Sequence, residues 1–116
     1  MATFELTQDN HHQTLENNEI VIIDFWAPWC GPCQAFGPTF EKVSEKYSDV
    51  AFAKCNTQDE QELAGAFRIR SIPTVMVFKQ GSLVFNQSGM LPEAALTELV
   101  EKIQELDMEA VKKQAG

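Results

Sequence analysis

Trp29-Cys30-Gly31-Pro32-Cys33 carries two of the three cysteines of this chain, three residues apart. At a helix start that spacing lets two sulfurs approach closely enough for a disulfide of low strain. Unsatisfied N–H groups and the helix dipole favour an anion there, so Cys30 is expected to ionise readily. The thiolate is the nucleophilic form of cysteine. Cys33, one turn later, is expected to point inward as the resolving thiol. Pro32 removes a backbone donor and stiffens the loop, which bears on the redox poise. Two plainer readings stand beside this one: half of a structural zinc site, or two inert buried thiols. A structural zinc takes about four ligands. Cys55, His11 and His12 are the other candidates; the histidines fall on the first helix and have no metal-ligand spacing to the pair, so no metal is expected.

Several further residues could serve that chemistry. Asp24 is the one charged residue in the apolar run from Ile20 to Trp26, six positions before Cys30. It reads either as a structural carboxylate satisfied by neighbours or as a buried base whose pKa burial has raised. Lys54 is out of place in Phe52-Ala53-Lys54-Cys55 unless it lies at a solvated strand end. Cys55 has the opposite parity and is expected to pack as a small apolar side chain rather than act as a regulatory thiol. Pro73 would interrupt a strand ladder and so marks a turn before Thr74.

The elements that must position these groups follow from periodicity. Ile20–Trp26 has the continuous apolar character of a central strand covered on both faces. Phe36, Phe40, Val43 and Tyr47 share one face of a helix after Cys33, and Pro38 is expected to kink it. Asn10 with Gln13 fits a capping box on a short first helix. Residues 50–55 read as a strand, 59–67 as a short helix, and 74–78 and 83–85 as a hairpin joined by Lys79-Gln80-Gly81-Ser82. Pro92 opens a helix with the stripe Leu96, Leu99, Val100, Ile103 and Leu106. The order βαβαβαββα predicts an α/β fold: a parallel sheet with helices on both faces and one antiparallel edge. Residues 1–106 form the expected domain, and 107–116 an extended, frayed or helical tail.

The 116 residues suit one domain. With 44% hydrophobic residues the chain can offset its ordering entropy. A net charge of −8 with no local basic patch argues against nucleic-acid binding. The longest apolar run, Ile20–Ile23, is far short of a membrane span. Met1–Leu6 lacks a basic stretch followed by an apolar one, so no export signal is expected and the cytoplasm is the expected location.

Asp24, Trp26, Trp29–Cys33, Pro38, Lys54, Ile72-Pro73-Thr74 and Gly89 together resemble the thioredoxin family over roughly residues 3–106. The resemblance implies a thioredoxin fold: a central mixed five-stranded sheet flanked by four helices. It implies that Asp24 assists proton transfer to and from Cys33, and that Lys54 pairs with Asp24 and tunes it. It implies a cis Ile72–Pro73 bond packed against the disulfide, with the backbone of residue 72 free to pair with an extended substrate strand. Trp29, Ile72, Pro73, Gly89 and Met90 are expected to form a flat apolar surface around the sulfurs, with Gly31 and Pro32 beside them, as a binding site for partner proteins. Trp26 is expected in the core behind the motif. Gln34 departs from the family, many members of which carry Lys or Arg there, and removes a positive charge near the thiolate.

The function implied is a protein-disulfide reductase: Cys30 attacks a client disulfide, and Cys33 resolves the mixed disulfide. A flavoprotein thioredoxin reductase using NADPH is the implied electron donor. The chain itself has no dinucleotide fingerprint, so no resident cofactor is expected. A monomer is the default. One rival is an oxidase or isomerase of the same fold, which Gly31-Pro32 between the cysteines disfavours. Another is an accessory binding subunit without redox turnover.

Overall fold

A computed structural model of the chain describes residues 2–115. Five strands, β1 (Thr3–Glu5), β2 (Ile20–Trp26), β3 (Ala51–Asn56), β4 (Thr74–Lys79) and β5 (Ser82–Ser88), form one sheet in the order β1-β3-β2-β4-β5. Helices α1 (His11–Asn17), α2 (Gly31–Ser44), α3 (Gln61–Ala66), α4 (Glu93–Glu105) and α5 (Met108–Ala115) complete it. The expected four helices are present, and α5 is a fifth. It gives the tail the helical one of its expected forms, because Met108 is buried and the Asp107 carboxylate accepts the Glu109 and Ala110 N–H groups. Gly116 lies outside the described residues.

β2 fills the middle because it is apolar on both sides. Ile20 and Ile22 face Phe36, Phe40 and Val43 of α2, and Leu96, Val100 and Ile103 of α4. Val21, Ile23 and Phe25 face Leu6, Leu63 and Cys55. Asp24 continues the first parity and therefore points to the α2 side. In parallel register it stands opposite Lys54 of β3, and in antiparallel register opposite Val75 of β4.

The antiparallel run of β4 against β2 corrects the expectation that helix-joined strands are parallel throughout. α3 has six residues, about 9 Å at 1.5 Å each, whereas β3 spans about 20 Å. α3 does not carry the chain back along the strand, and β4 starts at the sheet end where β3 stops. The C-terminal ends of β2 and β5 and the N-terminal end of β4 thus lie together, and residues 26–33, 71–74 and 88–91 converge there.

Other local expectations differ in detail. The capping box does not form: Asn10 turns its side chain back, accepting the Thr7 N–H and donating to the Glu5 carbonyl. The first turn of α1 is served by the Thr7 carbonyl, which accepts the His11 N–H. The β4–β5 hairpin closes on Gln80 and Gly81, both at positive φ (53° and 79°), the geometry that matches strand twist in a two-residue loop. Within that pair the register shifts by one between Val77 and Phe78, leaving Val84 as an extra residue on β5.

Lys79, read as a turn residue, ends β4 and is buried. Its Nζ donates to the carbonyls of Ile103 (2.6 Å), Gln104 (3.1 Å) and Leu106 (3.1 Å). Those carbonyls lie at the end of α4, where backbone donors run short (Ile103 O also accepts the Leu106 N–H, 3.2 Å), and a cation is favoured there.

Candidate active site

Cys30 is the N-cap of α2, and Cys33 lies in its first turn. The two are joined as a disulfide with Cα atoms 5.2 Å apart. The Cys33 N–H points at Cys30 Sγ (3.2 Å), so a helix-start donor that would otherwise be unsatisfied is aimed at the sulfur expected to carry charge. Residue exposure separates the two cysteines less than expected: Cys30 is 6% exposed and Cys33 3%. Among the described residues, no group of three or more His, Cys, Asp or Glu side chains is placed to hold a metal ion. No helix among them is long and apolar enough to cross a membrane.

Asp24 is fully buried, and neither carboxylate oxygen has a hydrogen-bond partner. Burial pushes its pKa up to about 7, and the positive charge of Lys54 offsets only part of that. Asp24 is therefore not a carboxylate satisfied by its neighbours. The ion pair expected from the resemblance is not formed. Lys54 is half-buried and holds its Nζ 4.9 Å from the centre of the Trp26 ring. Drawing the ammonium down to the buried carboxylate would strip the remaining water from the ammonium, whereas the indole face offers attraction at less desolvation. Lys54 therefore acts on Asp24 through space. Trp26, expected in the core, is half-buried, with an unpartnered, buried Nε1.

Cys55 faces the other side of the sheet, fully buried, with its thiol pushed up to about 12 chiefly by burial. It packs as an apolar side chain, as parity predicted.

The surface around the sulfurs comes from three segments. Trp29 is 70% exposed and Met90 44%. Gly31, Pro32 and Gly89 are exposed and Ile72 is half-buried. Pro73 is buried, so it supports the surface from beneath rather than forming part of it. The Ile72–Pro73 bond is cis, and the Ile72 carbonyl oxygen lies 3.9 Å from Cys30 Sγ. Gly89, at φ +94°, donates its N–H to the Pro73 carbonyl (2.7 Å). That left-handed turn joins the third segment to the second, and a side chain there would strain it.

Two features escaped the sequence reading. Gln34 donates through Nε2 to the Pro28 carbonyl (2.6 Å), tying the first turn of α2 to the loop that carries Trp29. α3 ends in a Schellman motif: Ile69 N–H donates to Ala64 O and Arg68 N–H to Gly65 O (both 3.0 Å), with Arg68 at φ +58°. Glycine at that position would have signalled the turn; arginine hides it.

The family model described as Thioredoxin matches residues 2–102. The "Putative thioredoxin 2" of Streptomyces coelicolor is 51% identical over 97% of this chain and 84% of its own length. The thioredoxin of Mycoplasma pneumoniae is 44% identical over 72% of this chain and 82% of its own. Among solved structures, a mutant thioredoxin from Halobacterium salinarum superposes with a TM-score of 0.83 at 35% identity, covering 90% of this chain and 93% of that one. With its Cys-Gly-Pro-Cys disulfide at the start of α2, the chain belongs to the thioredoxin family.

Proposed function

We propose that Cys30 is the attacking sulfur, Cys33 the resolving one and Asp24 the group that takes up and returns the Cys33 proton, in the thiol–disulfide exchange by which this chain reduces partner proteins. Cys30 thiolate attacks one sulfur of a client disulfide. A mixed disulfide forms and the other client sulfur leaves as a thiolate. Cys33 passes its proton to the Asp24 carboxylate and attacks Cys30 Sγ, which releases the second client sulfur. Two electrons move to the client, and the Cys30–Cys33 disulfide remains.

The observation that carries this reading is the Cys33 N–H aimed at Cys30 Sγ on the α2 N-terminus. A carboxyl whose pKa lies near neutrality can both accept and return a proton, which supports the role of Asp24. Lys54 tunes that carboxyl by its charge. Trp29, Gly31, Pro32, Ile72, Gly89 and Met90 form the client-facing surface over Pro73, and the backbone of Ile72 pairs with an extended client strand. An NADPH-dependent flavoprotein thioredoxin reductase returns the two electrons. The protein works as a monomer in the cytoplasm, where thiols such as Cys55 stay reduced.

Reduction of insulin disulfides, with reductase and NADPH supplied, tests the reading. Turnover is expected for the native chain and none for Cys30→Ser, while Cys33→Ser accumulates the mixed disulfide. An inactive native chain, or a Cys33→Ser variant that turns over normally, would overturn it.

A further inference from the structure

Beside Trp29 the surface opens into a groove of about 340 Å³. Trp29, Ile72, Ile69 and Ala64 give it apolar walls, and Arg70 is the one charged residue lining it. Arg70 is exposed, and among the described residues no carboxylate lies within ion-pair distance of it. The acidic residues around the start of α3, Asp59, Glu60 and Glu62, line a separate cavity. The Schellman turn sets the path of the chain into Ile69–Ile72 and so brings Arg70 to the groove. In a chain of net charge −8, an unpaired cation in the groove that Trp29 and Ile72 line is a local exception to a field that repels acidic clients.

Resting on the assignment of Cys30 as the attacking sulfur, we infer that Arg70 is a specificity-determining residue of the client groove. It favours client segments that carry an Asp or Glu within three residues of the disulfide. The occupant of the groove is thus an extended client segment whose apolar side chain lies against Trp29 and Ile72 while its carboxylate meets Arg70.

The test uses the full-length reduced protein and a set of peptides of one parent sequence. Each peptide is disulfide-linked through one cysteine to the same reporter thiol. Each carries Asp, Asn or Lys at one, two or three positions to either side of that cysteine. At the best placement the Asp peptide should be reduced about threefold faster than the Asn peptide, the size expected of an exposed ion pair. High salt should erase the difference. Arg70→Gln should bring the ratio to about one, and Arg70→Glu should shift the preference to Lys. An Asp-to-Asn ratio unchanged across all three proteins at every placement, or one that survives high salt, would overturn the inference. Failure of the native protein to reduce even the Asn peptides would instead sink the exchange reading, so the two failures are distinct.

Discussion

Lys79 and Asp24 are the two charged residues the sheet buries, and they lie toward opposite ends of the β2–β4 pairing, where Lys79 faces Ile20 and Asp24 faces Val75. The amine of Lys79 is surrounded by three carbonyls at the end of α4, where backbone donors run short. Both sides gain: the cation is solvated by protein, and the helix end is capped. The Asp24 carboxyl has no such partners. One buried ionisable group is fully satisfied and holds two elements together. The other is left unsatisfied, so that its proton is released only near neutrality. Burial alone does not distinguish structure from chemistry; hydrogen-bond satisfaction does.

The largest expected effect comes from Asp24→Asn. In the unfolded chain Asp24 loses its proton near pH 3.8, whereas in the native chain it holds it to about pH 7. The unfolded state therefore binds fewer protons across that window, and stability falls as pH rises through it. Above pH 7 the buried charge costs on the order of 4 kcal/mol. Denaturant titrations of the oxidised protein should find Asp24→Asn more stable by about that amount at pH 8 and equal to the native protein near pH 4. The same variant should slow resolution of the mixed disulfide by up to about 10²-fold, the contribution of a positioned proton acceptor. A variant less stable than the native protein at pH 8 would break the contrast.

Lys79→Met should lose about 3 kcal/mol by leaving buried carbonyls unpaired. The pH dependence of exchange by the folded variant should not move. A neutral Lys79→Met would show that the cap holds nothing, and a shifted pH profile would tie Lys79 to the chemistry after all. Lys54→Met sharpens the other side. Removing a charge that lowers the Asp24 pKa should move the pH midpoint of the resolving step upward, with a stability loss of about 1 kcal/mol or less from the lost contact with Trp26. A further effect of similar size concerns backbone alone: Arg68→Gly should stabilise by about 1 kcal/mol, since glycine occupies the left-handed region without penalty.

What the sequence disclosed divides along a similar line. The cysteine pair, the strand holding Asp24, the α2 and α4 stripes and the burial of Cys55 are all set by spacing along one element, and periodicity exposes them. The partners of Lys79 and Lys54 are not legible that way. Lys79 meets a helix end some two dozen residues later in the chain, and Lys54 chooses between a carboxylate and an indole on a neighbouring strand. Long side chains reach across elements, and only the assembled register decides what they meet. The direction of β4 was hidden for a related reason: alternation in a strand is the same whichever way it runs.

The outer strands of the sheet have their own consequence. β1 stops after three residues, and β5 is broken by the extra Val84 between its two halves. Neither edge offers a long, straight row of free N–H and C=O groups to a second molecule. Copies of this chain at high concentration are thereby denied a template for zipping together into aggregates, although a five-stranded sheet has two rims that invite it.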